Sequence, residues 1–351
     1  SYNFSMITQF EHHITKSLRS YYKRKLRFPT VFLAFIAIVS LIFPIRSMLF
    51  PNDISNSSVE RAVKSQNIYF STEYKNLYFS GYTRRFMGRI DGYYYYTMQN
   101  GKCLIIILSP NSCDMGIPHI DKIHFTGKII KNSVSLQTLY TNLSRDMSLN
   151  EAGISEVFSP YVLSEPDANG ITSVLLKWGI IISTIIALLD ILYSLFAIAF
   201  PVLSHPIRRL IAYGNPKEIL EEAEEELSTL PQLATEDMYI TQHYFIENSK
   251  YGVAVVPISK IQWVYKYSTL HKILWKTLKI SYTLYITADK YIYIRCPKNI
   301  KSDIDGVIDY LSEANHDILV GFSEKNRRTI EDRYESSSIF VRLRAILMKR
   351  I

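Results

Sequence analysis

Ser173–Leu203 reads SVLLKWGIIISTIIALLDILYSLFAIAFPVL, and from Gly179 onward its only charge is Asp190. About 20 apolar residues in a helix cross the hydrocarbon core of a bilayer, because a helix satisfies its own backbone polar groups there. Lys177 and Trp178 stand where an interfacial anchor is expected. The stretch predicts a membrane-spanning helix, and with it a chain divided between two compartments.

A second stretch, FPTVFLAFIAIVSLIFP from Phe28 to Pro44, carries no charge and is bracketed by Arg27 and Arg46. Pro29 suits the first turn of a helix and Pro44 its end or a kink. The run lies deep in the chain, its core is longer than that of a secretory signal, and no small-x-small cleavage pattern follows. It is expected to be a retained anchor. Basic residues then orient the pair. Residues 1–27 hold six basic side chains against Glu11, and Arg208, Arg209 and Lys217 follow the second span. Between the spans, residues 51–170 hold 11 basic and 11 acidic residues. This asymmetry places both termini in the cytoplasm of a two-span cell-membrane protein and exports the middle.

The expected organisation is therefore a basic N-terminus over 1–27, a first span over 28–50, an exported β-rich domain over 51–170 and a second span over 171–203. A juxtamembrane linker with an acidic helix (204–235), a β-domain (236–320) and a basic amphipathic tail (321–351) follow. The chain is 48% hydrophobic with 13 Gly and 13 Pro in 351 residues, which excludes a low-complexity chain and leaves material for two or three packed modules.

In the exported part, Tyr93–Met98 and Cys103–Leu108 flank Asn100-Gly101, a strong hairpin signal. KIHFTGKIIKN predicts a further strand with a bend or bulge at Gly127. Short strands separated by polar turns point to a small barrel-like domain of the OB or SH3 kind. Residues 133–165 read as more helical. Cys103 and Cys113 lie in a compartment that permits a disulfide; two free thiols on neighbouring strands is the other reading. Arg84, Arg85 and Arg89 form a basic group next to the tyrosine run, expected as a solvated loop.

Asp190 lies within the second span, where an ionisable group is costly and faces a partner. Its expected role is helix association, with another subunit or in a homodimer. Beyond the span, Asn215-Pro216 predicts the start of a helix carrying Glu221, Glu222, Glu224, Glu225 and Glu226. Alternating strands follow from Met238, and Lys301–Ala314 carries Ile304, Val307, Ile308 and Leu311 on one helical stripe. Strands closed by one amphipathic helix suggest a PH-like module. YIT-x-x-YFIE, then VAVVPISKIQWVYKY, with DILVGFSEKNR further on, resembles bacterial PH-like domains. With the two spans, the chain resembles an uncharacterised family of Firmicute membrane proteins. The resemblance covers most of residues 20–330 and implies no catalytic residues and no cofactor. The fold class expected is an α+β membrane protein with an exported barrel-like domain and a cytoplasmic PH-like β-domain with its closing helix.

Residues 260–301 contain nine Lys or Arg against Asp289. Such a cluster close to a bilayer favours anionic lipid. Lys266, Lys272, Trp275, Lys276 and Lys279 are the expected lipid- or partner-binding residues, with Trp263, Tyr265 and Tyr267 turned inward and Lys266 outward. The tail SSSIFVRLRAILMKRI adds a basic amphipathic segment. No GxSxG, P-loop, HExxH, CxxC or GxGxxG occurs, and no His has a ligand set close in sequence, so neither enzyme chemistry nor a metal is expected. No nucleic-acid-binding pattern occurs. The expected function is a membrane-anchored binding or scaffold protein, with an accessory subunit of a transporter or envelope complex as the second reading.

Overall fold

The computed structural model describes residues 12–54, 59–113, 116–131, 134–146, 157–229, 231–273 and 276–335. Two of its helices are long and apolar enough to cross a membrane, the run His13–Ile42 and Ile171–Ala199. The first consists of α1 (His13–Lys25) and α2 (Arg27–Ile42), joined through Leu26, which keeps helical dihedrals. The halves differ in character. Helix α2 exposes apolar side chains over one broad face, including Phe28, Phe35 and Leu41, and half-buries Phe32, Leu33 and Ile36 on the other. Helix α1 buries one stripe, Ile14, Leu18 and Tyr22, at the i, i+4, i+8 spacing of an amphipathic helix. The chain divides into two compact units, Thr30–Leu188 and the remainder.

In the first unit, α3 (Ile45–Leu49) and α4 (Val59–Lys64) precede β1 (Tyr69–Phe86), β2 (Arg89–Gln99), β3 (Lys102–Leu108) and β4 (His119–Lys131). Helix α5 (Val134–Asp146), β5 (Phe158–Ser164) and α6 (Glu165–Asn169) lead into α7 (Ile171–Ala199). The strands pair in the ring order β1-β2-β3-β5-β4, and β4 returns to β1 from Tyr69↔Lys128 to Tyr78↔His119. Strand β3 runs parallel to β5 while the other pairs are antiparallel. The β2–β3 hairpin turns at Asn100 and Gly101, both with positive φ, as a two-residue loop demands. Strand β3 is buried on both faces, which explains why CLIIIL is a continuous apolar run. Leu104, Ile106 and Leu108 join Phe70, Leu77, Tyr95 and Phe125, while Cys103, Ile105 and Ile107 lie under Leu136, Tyr140 and Leu143 of α5.

Several expectations need correction here. The fold class assumed a small OB- or SH3-like barrel of short strands. Strand β1 instead runs 18 residues, and its last part has left the ring. Beyond Phe79 it pairs only with β2, so Arg84–Phe86 and Arg89–Gly92 form an open two-stranded ribbon. The helical reading of 133–165 fails over β5, because Val162 and Leu163 fill the slot between β3 and β4 with a neighbour on each edge. Gly127 forms no bulge, because its register with β1 is unbroken from Tyr69↔Lys128 to Lys75↔Lys122. A Cβ there would stand 2.6 Å from Phe70 Cζ, so the strand is glycine for space. The disulfide is also overturned. Cys103 and Cys113 are buried and not disulfide-bonded, and they lie in different clusters on opposite faces of the sheet, because period-2 alternation sends Cys103 toward α5.

In the second unit, α8 (His205–Arg208) and α9 (Pro216–Ser228) follow α7. Strands β6 (Leu233–Ala234), β7 (Met238–Ile240), β8 (Tyr244–Asn248) and β9 (Val253–Pro257) form one sheet in sequence order. Strands β10 (Ile261–Ile273), β11 (Lys276–Ala288), β12 (Ile292–Asn299) and β13 (Leu319–Val320) form another, in the order β12-β11-β10-β13. Neither closes. Helix α10 (Lys301–Ala314) inserts Ile304, Val307 and Leu311 into the core between them, and α11 (Glu324–Glu335) follows. The first sheet is buried on both faces: Ile240, Phe245 and Val256 face that core, and Tyr244, Ile246 and Val255 face a second one. That second core takes Ile14, Leu18 and Tyr22 from α1 and Leu220, Ala223 and Leu227 from α9. The basic N-terminal segment is thus part of the fold of the C-terminal module.

Candidate functional site

Helix α1 carries a second stripe, Ser17, Ser20 and Arg24, at i, i+3 and i+7 beside its buried one. This stripe forms one wall of a cavity of about 510 Å³, completed by Glu236, Asp237, Asn248, Ser249, Lys250, Tyr251 and Lys298. The tight turn between β8 and β9 supplies the floor. Ser249 Oγ accepts from Tyr251 N at 3.1 Å and from Gly252 N at 3.2 Å, so the turn holds itself in shape. Lys298, near the end of β12, has φ 61, and this left-handed backbone swings its side chain over the Tyr251 ring. Lys250 Nζ lies 5.2 Å and Lys298 Nζ 5.0 Å from the ring centroid. A hydrogen bond with Lys298, then Lys250, holds the Tyr251 phenol below its usual pKa.

Among the described residues, Arg24, Lys250 and Lys298 have no carboxylate within ion-pair distance. Two acids, Glu236 and Asp237, also line the cavity, neither within ion-pair distance of these cations. Asp237 is pushed up by burial and by Glu236, against the pull of Lys250. Beneath the turn, burial pushes Glu247 up to about 8, with Ser249 and Cys296 hydrogen-bonded to it. At neutral pH that carboxyl is mostly protonated and adds little negative charge below the lysines.

The next residue after Arg24 marks the edge of the apolar layer. Lys25 Nζ meets Asp190 Oδ1 at 2.8 Å, both side chains part-exposed. Asp190 was expected within the span, facing a partner subunit. The structure pairs it with the basic residue that closes α1, three positions before Phe28, so it stands level with the start of the first apolar run. Tyr22 and Tyr193 pack edge to face beside the pair, at 5.9 Å between centroids. With 1.5 Å of rise per residue, Arg24 lies roughly 6 Å along the helix axis from Phe28 and Ser17 about 16 Å. The cleft therefore opens next to where the first apolar run begins.

The residues chosen from the sequence are placed differently. Lys266 shares the core-side face of β10 with Val264 and pairs with Asp305 of α10. Trp263, Tyr265 and Tyr267 lie on the other face, where Tyr265 stacks on Tyr285 at 5.2 Å and Phe322 covers the group. The expected facing of β10 is thus reversed. Trp263 is nevertheless buried, packed against Tyr265 and Phe322, and its Nε1 donates to Gly321 O at 2.9 Å. Lys272, Lys276 and Lys279 fall on the far end of the β10–β11 hairpin with side chains outside the described residues, and Trp275 lies outside them altogether, as does the tail 336–351. The cleft was missed because its cations come from positions 24, 250 and 298. The one available signal was the amphipathic spacing of Ile14, Leu18 and Tyr22.

The acidic block is also not a solvated face throughout. Glu224 caps α1, accepting from Ile14 N at 3.1 Å and Thr15 N at 2.8 Å. Among the described residues, Glu222, Glu226 and His243 bring ligand atoms within 4.8 Å of one another, a spacing able to hold a divalent ion. Protein partners already use these atoms. Tyr244 Oη donates to Glu222 Oε2 at 2.7 Å, Thr241 Oγ1 to Glu226 Oε2 at 2.6 Å, and His243 Nδ1 pairs with Glu226 Oε1. The hydrogen bond to Glu226 raises the pKa of His243, and a protonated imidazole accounts for the arrangement without a metal.

No protein-family model, no curated protein and no solved structure matches this chain. The two-helix pattern stands on the structure itself.

Proposed function

We propose that this is a membrane-anchored, non-catalytic binding protein whose cytoplasmic unit takes the phosphate of an anionic inner-leaflet lipid into the cleft of Arg24, Lys250 and Lys298. The observation that carries the reading is the meeting of three cations, without carboxylate partners among the described residues, in one cavity lined by the helix that continues into the first span. A phosphodiester offers several strong acceptor oxygens, and Arg and Lys donate charge-assisted hydrogen bonds to them. Because the site is tethered at the surface it binds, little further entropy is lost on engagement. The two open sheets with α10 inserted between them support a PH-like module. The basic asymmetry of the flanks supports cytoplasmic termini and an exported middle. The second reading needs Asp190 for a partner helix, and Lys25 of the same chain already engages it.

The test uses the full chain in a neutral detergent. Short-chain phosphatidylglycerol should raise the melting midpoint of the wild type, and short-chain phosphatidylcholine should not. Changing Lys250 and Lys298 to Gln together should abolish the rise. An equal rise with glycerol phosphate would assign the cleft to a free phosphate. A rise that survives the double change would remove the cleft from the reading.

A further inference from the structure

The open ribbon of β1 and β2 ends in a tip that the fold itself does not use. Residues 85–90, RFMGRI, are all exposed, with Phe86 at 63% and Met87 at 89%. Met87 and Gly88 both have positive φ, so the tip is a tight two-residue turn that pushes these side chains to its extremity. Arg85 and Arg89 flank them without an ion-pair partner among the described residues, unlike Arg84 behind them.

The direction of the tip follows from register. Tyr93 of β2 pairs with Leu108 of β3, and Ile107 of β3 lies beside Ser164 of the parallel β5. Ser164 is the end of β5, from which the chain enters α6 and then α7. Arg89 lies four residues beyond Tyr93, so the ribbon projects roughly 13 Å past the end of the barrel that feeds the second span. Two contacts hold it on that side. Arg84 Nη1 meets Asp167 Oδ2 at 2.8 Å, four residues before α7 begins. Gly92 passes so close to α6 that an added Cβ would lie 3.5 Å from Pro166 Cγ. Tyr69, at the start of β1, and Thr126 share a small cavity with Ala168 and Asn169, next to Asp167, and with Lys177 and Trp178, the expected interfacial anchor of α7.

We propose that the β1–β2 tip is a third membrane attachment, with Phe86 and Met87 seated in the interface of the extracytoplasmic leaflet and Arg85 and Arg89 at its phosphates. An aromatic and a methionine side chain between arginines match a layer that is apolar below and anionic above. The proposal rests on α7 being a span, and it is independent of the cytoplasmic cleft.

The full chain is reconstituted in nanodiscs with a single environment-sensitive fluorophore at Met87→Cys, at Ile185→Cys within α7, or at Lys102→Cys in the β2–β3 turn. Lipids carrying a spin label high on the acyl chain serve as quenchers. The probe at 87 should emit to the blue of the probe at 102 and lose at least half its intensity to the quencher, and the probe at 185 should be quenched as well. If 185 is quenched while 87 behaves like 102, the tip faces water and the proposal is overturned. If 185 is not quenched, the span reading fails and the proposal falls with it.

Discussion

Arg84 and the trio Arg24, Lys250 and Lys298 show opposite treatments of positive charge. Arg84 sits in the ribbon between two carboxylates, Asp91 at 2.7 Å and Asp167 at 2.8 Å. Burial lowers its pKa, and hydrogen bonds with the two carboxylates outweigh that effect. Its charge is matched inside the molecule, so it holds a strand to a helix. The three cations of the cleft are gathered without a carboxylate within ion-pair distance among the described residues, and their capacity is left for something from outside. Both groups read alike in sequence, as basic residues near tyrosines. Their roles differ because of where the acids stand.

This contrast predicts a large loss of stability at Arg84. Changing it to Ala leaves two part-buried carboxylates facing each other and should cost about 2–3 kcal/mol, read as a drop in melting midpoint. A loss below about 0.5 kcal/mol would place Arg84 with the solvated cations.

Glu247 is the third case, a buried acid with no cation beside it. Its folded pKa of about 8 stands above the ordinary carboxylate value, so the folded state holds a proton that the unfolded state has lost. The sign is therefore a stability contribution that is present below the unfolded pKa and declines as pH rises, until it levels off near 8. Glu247→Gln, which keeps the acceptor for Ser249 Oγ, should match the wild type near pH 4 and exceed it by on the order of a few kcal/mol at pH 8. Melting curves at both pH values check this, and equal offsets would show that the carboxyl titrates normally.

Smaller effects sharpen the comparison. A double-mutant cycle over Lys25 and Asp190 should give a coupling of about 0.5–1 kcal/mol, since both groups are part-exposed. Lys250→Gln with Lys298→Gln should change ligand-free stability by less than about 0.5 kcal/mol, because neither side chain closes an ion pair. A larger loss would make them structural, like Arg84. Reductant should leave the melting midpoint unchanged, because Cys103 and Cys113 are not joined by a disulfide.

Local chemistry was legible where it is self-contained. The Asn100-Gly101 turn, the Asn215 cap that accepts from Lys217 N at 3.1 Å, and the core stripe of α10 all follow from neighbouring residues. Val134–Asp146 is a helix by its own amphipathic spacing, the second helical segment expected at SLNEAGISEVF lies almost wholly outside the described residues, and Phe158–Ser164 becomes a strand through two partners remote in sequence. The basic stretch 260–301 misled for the same reason. Strand alternation placed Lys266 on one face of β10, but which face met a helix, and that the helix carried Asp305, was decided from another part of the chain.

Two apolar helices, a strand-rich segment between them and a second strand-rich segment after them follow from hydrophobic length and period, which need no tertiary information. Only the tertiary structure decided that α1 completes the core of the C-terminal module, that Asp190 finds Lys25, and that Arg24, Lys250 and Lys298 share one cavity. The physical reason is that periodicity records what a segment must bury, while the pairing of charges depends on which distant segments are brought together to bury it.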